Sequence, residues 1–156
     1  MKIRTDYVTN SSSSSFILGF TSEENIHNEL FSGFPEWAAR YFYTVSKDVQ
    51  SEKRLSKDEV IEIAKKELRW TAEWNVENKY QRKHRCSYRE TWDYLKSDVG
   101  RAEVSAELER CVNNIIEDMN GKSVFVAVEY DDHCNGELEH EVMPNVESTI
   151  VRFSHH

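Results

Sequence analysis

The hydrophobic and polar positions of this 156-residue chain follow different periods at its ends and in its middle. In residues 2–8 apolar and polar side chains alternate, and a period of two predicts a half-buried β-strand. A second short apolar run, at residues 16–20, follows a stretch of serines. Because Asn and Ser favour turns, residues 1–20 are predicted to form a β-hairpin with a Ser-rich turn. A flexible linker at residues 11–15 is the alternative.

The middle of the chain has the apolar spacing of α-helices. Three sequences of the capping-box type, which begin at Thr21, Ser56 and Ser87, have Glu three positions after the hydroxyl residue and predict helix starts. Further helices are predicted at residues 36–44 and 101–120, the second with a continuous apolar stripe.

Strand patterns return near the C-terminus. The β-branched, apolar run at residues 123–130 predicts a central strand that is covered on both faces. Asn135 and Gly136 predict a turn, residues 137–142 a return strand, and residues 148–153 a last strand.

These elements predict an α+β fold. The expected architecture is one small antiparallel or mixed sheet, formed by N- and C-terminal strands and covered by a helical middle segment. The length suits a single domain, residues 1–156, divided into an N-terminal β-hairpin (1–20), a helical segment (21–120) and a C-terminal β segment (122–156). Such a sheet would bring the two ends of the chain together.

Both ends also carry motifs. Residues 2–17 read Lys-Ile-Arg-Thr-Asp-Tyr-Val-Thr-Asn-Ser-Ser-Ser-Ser-Ser-Phe-Ile, and the C-terminal region has Glu139-His140 followed by Arg152-Phe153-Ser154-His155-His156. These motifs resemble the two ends of a large set of uncharacterised bacterial proteins that diverge in between. The resemblance implies that the final His pair is native, and it implies no activity. The N-terminal motif residues of unknown role are Asp6, Thr9, Asn10, Ser11, Ser12 and Ser13.

The net charge of −8 is spread unevenly along the chain. Residues 53–101 carry 13 Lys and Arg against 9 Asp and Glu, whereas residues 102–147 carry 2 against 12. Such a chain can present an acidic face to a basic protein partner. The first functional hypothesis is therefore a non-enzymatic interaction or regulatory module, in its sharpest form an inhibitor that mimics nucleic-acid charge. An acidic surface that only maintains solubility is the alternative.

The composition also bears on location. No apolar run approaches the ~20 residues of a membrane helix, and the N-terminus lacks the layout of a signal peptide. Three scattered cysteines are an odd number and suit reduced thiols. We therefore expect a cytoplasmic protein with no membrane partner.

Histidines cluster near the C-terminus among acidic residues and a cysteine. Imidazole and thiolate together suit a divalent metal such as Zn²⁺, with carboxylates as further ligands. The second hypothesis is thus a metal-binding protein or a metal-dependent hydrolase, although the spacing matches no zinc signature. One alternative is general acid–base catalysis by a His–Glu pair, since His titrates near neutral pH. Another is that the histidines are solvated surface residues. The sequence therefore does not decide whether the protein is an enzyme. The candidate metal ligands are His133, Cys134, Glu139, His140 and His155.

Residues 79–89 are basic, with two tyrosines among the cations. This composition can contact phosphates and stack bases, which gives a third hypothesis of nucleic-acid binding. The acidic chain and the absence of a surrounding motif disfavour it, and the exposed end of a helix is the alternative. The candidate residues are Lys79, Arg82, Lys83, Arg85 and Arg89.

The chain has 18 aromatic residues, which argues against disorder despite 31% charged residues. Trp37, Trp70 and Trp74 lie on predicted helices, and packing in the core is the expected role for all three.

Overall fold

The computed structural model describes residues 13–131 and 136–154, and the chain divides into two compact units. The first, the sheet unit, combines Met1–Val60 with Met119–His156, and the second, the helical unit, is Ile61–Asp118. A single domain over residues 1–156 stays a prediction. Of the predicted hairpin, the strand at residues 2–8 lies outside the described residues.

The sheet unit is built on four strands in the spatial order β2-β3-β1-β4, and each neighbouring pair is antiparallel. This confirms the predicted α+β class and the sheet formed from both ends of the chain. The strands are β1 (Ser13–Phe20), β2 (Arg54–Leu55), β3 (Val124–Asp131) and β4 (Thr149–Ser154).

The strand β1 is central and buried along its whole length. Ile17 lies opposite Ala127 of β3 on one side and opposite Val151 of β4 on the other. The prediction that Ser13 to Ser15 belong to a turn is wrong, because these serines continue β1. β3 pairs with all three serines, and β4 pairs with Ser14 and Ser15. This pairing outweighs the tendency of serine side chains to hydrogen-bond to their own backbone.

Helices of the sheet unit cover the face of the sheet on which Phe16, Leu18 and Phe20 lie. Alternate residues of β3 share this face because strand side chains alternate in direction. Burial of each large apolar side chain contributes about 2 kcal/mol. The helical elements are α1 (Ile26–Ser32), a 3₁₀ segment (Glu36–Tyr41) and α2 (Phe42–Ser51).

Two predictions for this unit are wrong. The helix expected from Thr21 begins at Ile26 instead, because the Thr21 amide and hydroxyl donate to the Glu29 carboxylate at 3.1 and 3.0 Å. The return strand expected at residues 137–142 is a π-helical turn, Leu138–Val142, followed by the 3₁₀ turn Met143–Asn145. Its helical spacing buries Leu138 and Val142 in the core, four positions apart.

The helix α3 (Lys57–Glu67) begins in the sheet unit, and its capping box is supported by a 3.1 Å bond from the Glu59 amide to the Ser56 hydroxyl. The rest of the helical unit consists of α4 (Arg69–His84), α5 (Tyr88–Lys96) and α6 (Asp98–Asp118). None of the helices in the described ranges is both long and apolar enough to span a membrane.

The capping box at the start of α5 is complete, as predicted. The Glu90 amide donates to the Ser87 hydroxyl at 3.3 Å, and the Ser87 amide donates to the Glu90 carboxylate at 2.8 Å. This backbone hydrogen bond from Ser87 is the main cause that lowers the pKa of Glu90. Upstream, Arg85 adopts a left-handed conformation (φ 48°) that ends α4. The two helices therefore have defined ends on either side of a short connection.

Candidate functional site

A polar cluster joins the two ends of the chain within the sheet unit. We call it the polar clasp: Ser14, Glu139, His140 and Arg152. Ser14 lies on β1, and Arg152 lies on β4 opposite Phe16, so both side chains are on the same face of the sheet. Glu139 and His140 come from the π-helical turn. The sequence places these residues up to 138 positions apart, and the fold makes them neighbours.

The centre of the clasp is the Glu139 carboxylate, which is fully buried together with Ser14. The Ser14 hydroxyl donates to Glu139 Oε1 at 2.6 Å. Arg152 donates from Nε to the Ser14 hydroxyl at 3.1 Å, and its Nη2 lies 3.5 Å from Glu139 Oε1. Charge and hydrogen bonding thus compensate a carboxylate that would be costly to bury alone.

His140 lies at the exposed side of the clasp. Its Nε2 is 3.6 Å from Glu139 Oε2, and its Nδ1 is 3.3 Å from Arg152 Nη2. The Arg152 guanidinium also lies 5.8 Å from the centre of the Phe16 ring. The polar clasp therefore has a buried carboxylate, Glu139, at one side and an exposed imidazole, His140, at the other.

The burial of the polar clasp argues against a catalytic role for Ser14. A serine nucleophile has to reach a substrate, whereas the Ser14 hydroxyl is fully buried and is held by Glu139 and Arg152. The arrangement acts as an anchor that ties β1, β4 and the π-helical turn together. Sequence reasoning selected Glu139 and His140 but missed Ser14 and Arg152 as site residues. The available signal was that all four belong to the terminal motifs.

Of the predicted metal ligands, only Glu139 and His140 lie in the described part of the chain. His133, Cys134 and His155 lie outside it, as do the motif residues Asp6, Thr9, Asn10, Ser11 and Ser12. Within residues 13–131 and 136–154, no group of three or more His, Cys, Asp or Glu side chains could hold a metal ion. A zinc site therefore stays a prediction.

The basic segment at residues 79–89 forms the end of α4, the connection and the start of α5. All five candidate cations, Lys79, Arg82, Lys83, Arg85 and Arg89, are exposed. The two tyrosines differ: Tyr80 stacks on Tyr94 with ring centres 3.9 Å apart, whereas Tyr88 is 67% exposed. One aromatic ring thus supports the helix pair, and the other faces solvent.

Large aromatic side chains are exposed elsewhere on the helical unit too. Trp70 is 68% exposed, Trp74 52% and Trp92 48%. In the sheet unit Trp37 is 57% exposed. The expectation that Trp37, Trp70 and Trp74 pack in the core is therefore wrong. Their helical positions suit burial on one face, but the apolar residues that α4 buries are Ala72 and Val76.

A cavity of about 460 Å³ lies between α4, α5 and α6, and we call it the helical groove. Its cations are Arg69, Lys96 and Arg101, and its one carboxylate, Glu73, is 3.7 Å from Arg69. Lys96 and Arg101 therefore give the groove a net positive charge. The apolar part of the lining consists of Trp92, Leu95, Val104 and Leu108.

The face of α5 connects the helical groove to the basic segment. Tyr88, Trp92 and Lys96 are spaced four residues apart and so lie on one side of the helix. The Tyr88 and Trp92 rings are 6.4 Å apart with 22° between their planes, and the Lys96 ammonium lies 5.1 Å from the Trp92 ring centre. Aromatic and basic groups thus form one continuous exposed strip.

The acidic stretch at residues 102–147 is divided between the two units. Several of its carboxylates are bound within the protein, among them Glu139 in the polar clasp. Glu107 accepts hydrogen bonds from Arg110, at 2.6 Å, and from Asn75, and the bond from Arg110 is the main cause that lowers the Glu107 pKa to about 2. Glu137 is bound by Tyr41 and Arg40, and the hydrogen bond from Tyr41 is the main cause that lowers its pKa.

Comparison of this chain with protein-family models, with curated proteins and with solved structures finds no match. The resemblance of its two ends to a bacterial family stays a prediction.

Proposed function

We propose that this protein is a non-enzymatic binding module whose helical unit holds a polyanionic partner. The observation that carries the proposal is the helical groove, where Lys96 and Arg101 give a net positive charge beside the half-exposed ring of Trp92. Concave sites with apolar walls and a few charged groups are the usual form of ligand sites.

The basic segment extends this surface. It adds five exposed cations at one end of the strip along α5, so a long anion can bind at both places. Clustered cations raise the rate and the affinity of association with polyanions, although the whole chain is acidic. The geometry therefore supports binding by the helical unit in spite of the net charge of −8.

The sheet unit supports the same proposal as a scaffold. Two polar side chains of its described part, Ser14 and Glu139, are buried and bound to each other. We further propose the cytosol as the place of action, where the free thiols of Cys86 and Cys111 stay reduced.

The acidic version of the module, with a basic protein partner or mimicry of nucleic-acid charge, stays a prediction. The geometry gives it less support, because the acidic residues are shared between two units and part of them is bound internally.

The proposal is tested by titration with two polyanions, heparin and long-chain polyphosphate, at about 50 mM salt. We expect binding that weakens steeply with added salt. In the double variant Lys96→Gln/Arg101→Gln the affinity should fall about tenfold, since two phosphate-type contacts are lost. The matched control is Lys47→Gln/Lys57→Gln, which removes two exposed charges of the sheet unit. Absence of binding, or an equal loss in the control, would refute the proposal.

A further inference from the structure

We infer that the polyanion is a single-stranded nucleic acid whose bases stack on Tyr88 and Trp92. This inference rests on the function proposed above and specifies its ligand. In this arrangement the phosphates follow the cations of α5 and of the helical groove, from Arg89 to Lys96 and Arg101.

The first support is the order of groups on α5. Along one side of this helix the chain presents Tyr88 and Arg89, then Trp92, then Lys96. Single-stranded nucleic acid has a flat ring and a negative charge in every repeat unit, so it matches this alternation. Stacking of a base on an exposed aromatic side chain contributes roughly 1–3 kcal/mol.

The second support is the availability of the rings. Tyr88 is 67% exposed and Trp92 is 48% exposed, with their planes only 22° from parallel. Neighbouring bases on one strand also keep their planes close to parallel. In a duplex the flat faces of the bases are covered by each other, so these rings favour an unpaired strand.

The third support is the helical groove itself. Its volume of about 460 Å³ lies within the range of small-ligand sites, roughly 300–1,000 Å³. Beside Trp92 the lining is apolar at Leu95, Val104 and Leu108, which suits the face of a base. Lys96 and Arg101 line the same space and can take the phosphate that follows that base.

The test compares four labelled ligands by fluorescence anisotropy at low salt. They are an oligonucleotide of about 12 thymidines, an abasic strand with the same phosphates, a duplex of equal length, and an acidic peptide with interspersed Phe. We expect the thymidine strand to bind at least tenfold more tightly than each of the others. Tryptophan fluorescence should be quenched as it binds.

Two pairs of variants locate the effect. Trp92→Leu and Tyr88→Leu should each weaken binding of the thymidine strand about tenfold, because one stacking surface is lost. The matched controls Trp37→Leu and Tyr43→Leu remove rings of the sheet unit that are at least as exposed, and they should change affinity less than twofold. Trp92→Phe keeps a flat ring and should retain most of the affinity, which separates stacking from a folding defect.

The outcomes distinguish the two proposals. If the abasic strand binds as tightly as the thymidine strand, or the Trp92→Leu variant binds normally, the inference is overturned while polyanion binding stands. A preference for the acidic peptide or for the duplex overturns it in the same way. If neither the nucleic acids nor heparin and polyphosphate bind, the proposed function fails as well.

Discussion

The two units of this protein differ in the polar and aromatic groups that they bring together. The sheet unit buries the hydrogen-bonded pair Ser14 and Glu139, whereas the helical unit leaves the rings of Tyr88 and Trp92 exposed in one strip with Lys96. Exposed rings occur in the sheet unit as well, at Trp37 and Tyr43. Buried polar groups need a bonding partner with the correct geometry, which restricts the fold around them. Exposed rings impose no such restriction and remain available to a ligand. Under the proposed function, the polar clasp of the sheet unit maintains the architecture, and the strip along α5 of the helical unit is the contact surface.

The largest expected effect concerns the polar clasp. Replacement of Arg152 by Met removes the cation next to the buried Glu139 carboxylate, and we expect a loss of about 3 kcal/mol in the free energy of unfolding. Urea denaturation followed by circular dichroism measures it. The matched control is Arg40→Met, which breaks the exposed pair with Glu137 and should cost much less, because solvent screens that pair. Equal costs for the two variants would show that the clasp is not an anchor.

The next effect concerns close packing within the helical unit. A Cβ atom added at Gly100 would lie 2.0 Å from the carbonyl oxygen of Tyr94, so the start of α6 would have to move away from α5. We expect Gly100→Ala to destabilise the protein by about 2 kcal/mol in thermal unfolding. Val99→Ala, at the exposed neighbouring position, should change stability by less than about 0.5 kcal/mol. A neutral Gly100→Ala variant would mean that α5 and α6 are less closely packed than described.

The smallest effect concerns Glu107, whose pKa falls from 4.5 to about 2 on folding. A carboxyl group with a lower pKa in the folded state binds fewer protons there, so its stabilisation is present above pH 4.5 and disappears as the pH falls towards 2. Glu107→Gln should therefore cost about 1 kcal/mol at pH 7 and only a small part of that at pH 2, where about half of the folded carboxyl groups are still ionised. Unfolding curves of both proteins at several pH values measure the difference. A difference independent of pH would contradict the assigned hydrogen bonds.

The sequence predicts those elements whose information is local. The strand β3 and the helix start at Ser87 are confirmed because apolar runs and capping boxes depend on residues only a few positions apart. Ser14 continues a strand because it pairs with Tyr130 of β3 and Ser154 of β4, both more than a hundred positions away, and no local pattern reveals such partners. At Leu138 and Val142 a spacing of four suits a helix as well as a strand. The π-helical turn forms because it buries both side chains in the core.

The candidate sites follow the same rule. The cations of residues 79–89 are exposed, as their composition indicates. The helical groove could not be predicted, because its lining residues, from Arg69 to Arg101, come from three different helices. Likewise, helical spacing locates Trp70 and Trp74 on a helix face without showing whether another element covers that face. Only the packing of α4, α5 and α6 shows that these rings are exposed.

The central position of β1 has a consequence for synthesis of the protein. Both strands that flank it, β3 and β4, follow it by more than a hundred residues. A ribosome that adds roughly 5–20 residues per second needs roughly 5–20 s to supply the first of them. During that interval the helices from α4 to α6, whose contacts are closer in sequence, can form, while the apolar strand emerges with neither edge paired. Until β3 and β4 emerge, nascent β1 therefore lacks both of these partners, and unpaired apolar strands are prone to aggregation.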